Sequence, residues 1–328
     1  MKKIYIFLIL LMIHPLMASV LRCSECDRRI SGKYLRNDQG ENFCSGKCFK
    51  KSLPTCDKCR RACEDGTVTL MGKTFCSSRC AGDYFHCSSC GKGMTQIATY
   101  QTLTGEKLFI CPDCRRGEPC YYCSIPGASV TLMDKRKICR KCNSSAVTDP
   151  REVGKIFNTL RRNLAKWYGF DQKHDIELHV VGLPELEKNS ASLYRPEGSR
   201  QMALMKYRAK VRQKFNRKGE VKKEKVIDDE CHIFVLHTVP RKSLIDALAH
   251  ELAHDHLRHN VGKVKVLADE EGFSELVASL YNTKIGNSQL NKLKEANPDK
   301  VYGGGFRKMR RLYLKNGRSL KKLMEYLK

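Results

Sequence analysis

Nowhere beyond its first twenty residues does the sequence hold an apolar run approaching the roughly twenty residues that a membrane-spanning helix requires. Together with a 29% charged fraction, this excludes a polytopic membrane protein. Acidic residues are scarce: 35 Asp and Glu face 61 Lys and Arg, for a formal charge of +26. That surplus is enough to draw the chain toward anionic surfaces, acidic proteins or nucleic acid. Aromatic residues make up only 8%. The most basic stretch, Lys206 to Lys225, contains just Tyr207 and Phe215, too little stacking surface for a nucleic-acid site, and reads as a solvated helix face or loop. Cysteine is almost missing from the second half, where Cys231 alone follows residue 143 and reads as a small buried apolar side chain.

The 328 residues have room for two compact domains and a processed segment, and 41% hydrophobic residues allow a real core in part of the chain. The start, Met1-Lys2-Lys3 followed by the apolar run Ile4 to Ile13 and then His14 to Ser19, has the form of a secretory signal peptide. Cleavage near Ala18 or Ser19 would export the protein, to the periplasm or the medium, with no membrane span after processing. An uncleaved signal anchor is the alternative.

The cysteine half divides by spacing into four similar units. They are Cys23-x2-Cys26 with Cys44-x3-Cys48, Cys56-x2-Cys59 with Cys76-x3-Cys80, Cys87-x2-Cys90 with Cys111-x2-Cys114, and Cys120-x2-Cys123 with Cys139-x2-Cys142. Two residues between paired cysteines let one tight turn aim both sulfurs at a tetrahedral ion, and a second pair closes the site. About four structural Zn2+ ions are expected, each supplying much of the folding free energy of a unit too small to bury its own core. A disulfide scaffold is the competing expectation for an exported chain. Cys63 could replace Cys59 as a ligand, and His86 beside Cys87 could ligate or stand exposed. The paired units resemble LIM domains, although Cys111 stands where LIM domains commonly have histidine; such modules usually bind other proteins.

After the turn-like segment Asn143 to Pro150, apolar residues Val153, Ile156, Leu160, Leu164 and Trp167 recur with helical period, and Ile176 to Val181 and His232 to His237 read as strands. The segment Leu244 to His254 contains His250-Glu251-Leu252-Ala253-His254. On a helix, two histidines four apart share a face and can hold one ion, with Glu251 beside them as general base for a water. A following helix, from Asp269 to Ala278, offers Glu270 and Glu271 as third ligand. His256 and His259 fall off the required face and read as surface or substrate-side residues. Tyr281 and the nearby histidines are candidates for stabilising an oxyanion. The stretch Phe306 to Lys328 reads as one basic amphipathic helix packed on the domain.

Glu271-Gly272 resembles the glutamate-glycine step of gluzincin peptidases, which implies Glu271 as zinc ligand and Glu275 as the carboxylate that orients a ligand histidine. The chain as a whole resembles the LIM-peptidases best known in plants, which restrain organ growth. The match is closest from Ile233 to Ala278 and looser from Thr148 to Tyr281. With an export signal and no ubiquitin-interacting helix, this chain does not inherit their ubiquitin activation or substrates. The resemblance implies an α+β fold with a zincin-like metallopeptidase domain in residues 144–328, preceded by LIM-like zinc ribbons in 20–82 and 83–143 after a signal peptide in 1–19. It implies one catalytic Zn2+ besides the structural ones, a protein or peptide as substrate, and protein partners for the ribbons. The strand His232 to His237 would be the sheet edge that aligns an extended substrate. A catalytically silent zinc-ribbon adaptor and a basic nucleic-acid-binding protein are the rival readings.

Overall fold

The backbone of every four-cysteine unit turns at the same place, because the first cysteine pair can face one point only if the chain reverses immediately behind it. The fourth residue after the first cysteine therefore has positive φ in all four units: Asp27 at 55°, Arg60 at 63°, Gly91 at 76° and Ser124 at 58°. Each donates its backbone N–H to the carbonyl of that cysteine, at 2.8 to 2.9 Å. Three of the four are not glycine, so the turn costs on the order of 1 kcal/mol each, which metal binding must offset.

The computed structural model describes residues 20–102, 106–170, 174–191, 193–196, 198–216, 218–219 and 221–328. The expected signal peptide, 1–19, lies outside them. The described residues form two compact units, divided between Phe85 and His86. The first holds two zinc-ribbon units, built from the hairpin β1 (Leu35–Arg36) and β2 (Asn42–Phe43) with α1 (Gly46–Ser52), and from β3 (Val68–Leu70) and β4 (Lys73–Phe75) with α2 (Ser78–Tyr84).

The second unit begins with two more: β5 (Ala98–Gln101) and β6 (Lys107–Ile110) with α3 (Pro112–Arg116), then β7 (Val130–Thr131) and β8 (Lys137–Ile138) with α4 (Arg140–Ser144). The difference in cysteine spacing follows from the helix caps. In the first two ribbons an extra serine, Ser45 or Ser77, caps the helix by accepting the N–H of Cys48 or Cys80. In the last two, Cys111 and Cys139 take the cap position themselves, accepting from Cys114 and Cys142, and the spacing shortens by one residue.

The rest of the second unit is mixed α/β. β9 (Ala146–Val147) leads into α5 (Pro150–Tyr168), which is capped by Asp149, started by Pro150 and stopped by Gly169 at φ 73°. Its buried residues Val153, Ile156, Phe157, Leu160 and Leu164 form the expected stripe. A three-stranded sheet follows in the order β10 (Ile176–Val181), β12 (Val221–Leu236), β11 (Ala203–Phe215), with α6 (Leu183–Ser190) between β10 and β11 in sequence. β10 runs parallel to β12 and β11 antiparallel to it. The strand His232 to His237 is thus central and not an edge, and residues 206–215 and 221–225 lie in paired strands and not on a helix face or in a loop.

β13 (Val239–Pro240) pairs with β9 and turns into α7 (Arg241–Asn260), which packs on α8 (Leu267–Lys284). α9 (Gln289–Ala296), α10 (Tyr302–Lys315) and α11 (Leu320–Leu327) complete the chain. The expected single C-terminal helix is two, broken at Asn316 and Gly317, the latter at φ 69°. Phe306, Met309, Leu320, Leu323 and Leu327 join the main core with Phe273 and Leu248. Among the described residues no helix is long and apolar enough to cross a membrane.

Candidate metal centre

In the ribbons the four sulfurs of each unit lie within 4.8 Å of one another. Individual Sγ–Sγ separations are 3.6 and 3.7 Å in the first ribbon, 3.7 and 3.5 Å in the second, 3.9 Å in the third and 3.7 Å in the fourth. A disulfide needs about 2.05 Å, whereas four sulfurs at about 2.3 Å from one tetrahedral zinc stand about 3.8 Å apart. These are four structural zinc sites, and the disulfide alternative does not fit them. Burial opposes charge on Cys56, yet the backbone N–H groups of Cys59, Cys76 and Lys58 bring its thiol down to about 6, ready to ligate as thiolate. Cys59 belongs to this cluster; Cys63 is buried outside it, its thiol pushed up by burial. Cys231 is buried, and His86 is exposed.

A second kind of centre forms where α7 crosses α8. Leu244, Leu248, Leu252 and Ala253 fix α7 in the core, and the four-residue step puts His250 and His254 on one face with their Nε2 atoms 3.0 Å apart. Glu271 Oε2 stands 3.1 Å from the first and 3.4 Å from the second. Donors at about 2.05 Å from a tetrahedral zinc are about 3.3 Å apart, so this triangle has the dimensions of three ligands on one ion.

Glycine after Glu271 has a steric cause. A Cβ on Gly272 would come 2.3 Å from the Gly305 carbonyl carbon, and one on Gly305 would come 2.0 Å from the Ala268 oxygen. α8 and α10 thus cross backbone against backbone, bringing Glu271 to the histidines and the start of α10 over them.

Carboxylates stand behind both imidazoles. Glu270 Oε1 lies 3.3 Å from His254 Nδ1, and Glu275 Oε1 3.6 Å from His250 Nδ1. The structure thereby separates the neighbours: Glu271 faces both Nε2 atoms and Glu270 only the far side of His254. Glu275 is itself held by the half-buried Lys294, which also bonds Asp246 at 3.0 Å. Such outer carboxylates fix the tautomer and aim of ligand histidines.

The electrostatics favour a cation. Burial works against charge on His254, but Glu271 and Glu270 outweigh it and lift the imidazole well above its ordinary value. Burial also raises Glu271, but the His254 and His250 imidazoles hold it well below the usual carboxylate range. Glu251, buried beside them, accepts the Met205 backbone N–H at 2.8 Å and is pushed up by burial.

Several expected residues lie elsewhere. Tyr281 is buried against Trp167, and its hydroxyl accepts from Asn163 at 2.9 Å. His256 is buried, stacked on Phe170 at 3.8 Å and lowered by burial to about 4. His259 Nδ1 lies 3.3 Å from Asp255, which bonds His174 at 2.7 Å. The His174 and His259 rings stack 3.7 Å apart at 22°, so one ion cannot lie in both ring planes, and this cluster is a hydrogen-bonded clamp. Tyr302, not anticipated, has its ring centre 6.4 Å from that of His250. Burial and the charges of Glu271, Glu251 and Glu275 push its phenol up and keep it protonated. The signal for it was the triplet Gly303-Gly304-Gly305, which marks a close backbone approach.

No family model matches the chain. It is 24% identical over 149 residues to the human LIM and senescent cell antigen-like-containing domain protein 2, covering 37% of this chain and 42% of that one. The chain therefore matches about two fifths of the length of this curated relative. With the four sulfur clusters, this likeness marks the cysteine half as LIM-like zinc ribbons.

Proposed function

We propose that the protein is a zinc-dependent peptidase whose LIM-like ribbons bind a protein partner or regulate the enzyme. The observation that carries this reading is the triangle of His250, His254 and Glu271 with the buried Glu251 beside it. His250, His254 and Glu271 would hold the zinc ion, which would supply Lewis acidity toward water and a peptide carbonyl.

The chain's own groups supply the rest. Glu251, its basicity raised by burial, takes a proton from the attacking water and returns it to the leaving amine. Tyr302, kept protonated, donates to the oxyanion as the carbonyl carbon becomes tetrahedral. Met205 turns its N–H toward Glu251 and away from β12, so β11 presents its outer edge to the site. That edge takes the role expected of His232 to His237, aligning an extended substrate by strand addition. Export through residues 1–19 would place this activity outside the cell or in the periplasm.

Glu271→Gln in the full chain tests the ligand set. Zinc content should fall from about five ions per chain to about four, with loss of cleavage of an unstructured protein. Full zinc retention with unchanged cleavage would remove Glu271 from the centre. Tyr302→Phe should lower kcat about 10²-fold with KM little changed, the cost of one oxyanion donor. A kcat within about twofold of wild type would assign that donor elsewhere.

A second reading rests on the LIM likeness: a zinc-ribbon adaptor whose C-terminal half only displays a surface. A chain that retains about five zinc ions and cleaves no protein would favour it.

A further inference from the structure

β10 pairs with β12 only from Cys231 to Leu236, whereas β11 and β12 remain paired out to Phe215 and Val221. Beyond the core the two strands therefore run on as a two-stranded arm. Two-stranded ribbons without a covering layer are marginally stable. This one also keeps unfavourable features that a purely structural hairpin would lose.

Along β11, Lys206, Arg208, Lys210, Arg212 and Lys214 alternate with Tyr207, Ala209, Val211, Gln213 and Phe215. The last four of those cations are exposed. Near the core the register sets Arg208 opposite Glu230, which balances charge. Farther out, Arg212 and Lys214 stand exposed near the end of the strand pair. The same end exposes Phe215 by 60%, Val221 by 49% and Val211 by 40%. A positive field and apolar side chains left uncovered together describe a surface made for an anionic partner that also has an apolar contact to offer.

We propose that this arm receives an acidic segment of a polypeptide. Resting on the peptidase reading, that polypeptide is the substrate, because β11 is one continuous strand from the Glu251 contact at Met205 to Phe215. Ten residues of strand span about 33 Å. The acidic segment would thus lie within about ten residues of the scissile bond, held by charge on the arm while the edge near Met205 aligns the reacting peptide. The chain's overall surplus of positive charge adds long-range steering toward the same partner.

The test uses the full chain carrying Glu251→Gln, so that binding is read without turnover. A labelled peptide with a run of Asp and Glu is compared with its Asn and Gln counterpart. The acidic peptide should bind at least about tenfold more tightly at low salt, and the difference should shrink as salt screens it. The double change Arg212→Glu and Lys214→Glu should abolish that preference. With Glu251 intact, the same double variant should cleave a short neutral peptide at the wild-type rate, showing that the fold and centre survive. Equal affinity of the double variant and the parent for the acidic peptide would overturn the proposal. So would arm-dependent binding of anionic vesicles or single-stranded nucleic acid with no preference for the acidic peptide. Arm-dependent binding by a chain that cleaves nothing would sink the peptidase reading and leave this surface standing.

Discussion

Glu251→Gln is expected to lower kcat/KM for an unstructured protein by about 10³-fold while zinc content and thermal stability stay at wild-type values. The change is nearly isosteric, and the amide oxygen of glutamine can still accept the Met205 N–H that Glu251 Oε2 accepts at 2.8 Å. α7 therefore keeps its contact with β11, and His250 and His254 keep their place. What is lost is a proton acceptor. An amide can neither take the proton of the attacking water nor deliver one to the leaving amine, and general acid–base catalysis contributes about 10² to 10⁴ in rate. The expected 10³-fold is the middle of that range. Rates on the two purified proteins, with zinc measured on the same samples, decide the matter. A variant as active as wild type would take Glu251 out of the chemistry, and a variant short of zinc would show that it had disturbed the centre instead.

The cysteine spacings and the His-Glu-x-x-His step were legible because each is a local pattern: a turn or one helical turn sets the distance between donors without help from the rest of the fold. The α5 stripe was legible for the same reason. The basic segment 206–225 was misread because its charge and its two aromatic residues were weighed and not its period: from Lys206 to Phe215 cations alternate with Tyr207, Ala209, Val211, Gln213 and Phe215. Its strand character comes from pairing with β12, which no window on β11 contains. His256 looked like a surface residue because it follows a polar helix face, yet Phe170, brought in from beyond α5, buries it. Tyr302 carried only the indirect signal of the three glycines that follow it, for a related reason. It lies 52 positions after His250 in the chain, and only the glycine crossing of α8 and α10 carries it there.

The grouping of the ribbons was also beyond local pattern, and it leads to the second large effect. Arg136→Met should leave every zinc ion in place yet lower the unfolding midpoint of the second unit by on the order of 10 °C. The fluorescence of Trp167, the single tryptophan of the chain, reports it. Arg136 sits at the end of the turn between β7 and β8, where Lys135 has φ 67°, and its side chain is fully buried. It bonds Asp134 at 2.7 Å and the His237 carbonyl at 2.9 Å, and it also contacts the Tyr122 hydroxyl. Asp134 in turn accepts the Leu183 N–H at 3.0 Å. The fourth ribbon thus inserts one end of its hairpin into the sheet-bearing half while its zinc pins the other end. Removing one member of a buried ion pair costs about 3 to 5 kcal/mol, because the other is left uncompensated. In a unit of this size each kcal/mol shifts the midpoint by about 2 to 4 °C. Cys139→Ser should do more, because loss of that zinc frees the whole hairpin and withdraws Arg136 and Asp134 together. A midpoint within about 2 °C of wild type for Arg136→Met would mean that the ribbon and the sheet-bearing half unfold independently. A fall in both variants, larger for Cys139→Ser, would make the fourth zinc part of the stability of the centre at His250, His254 and Glu271.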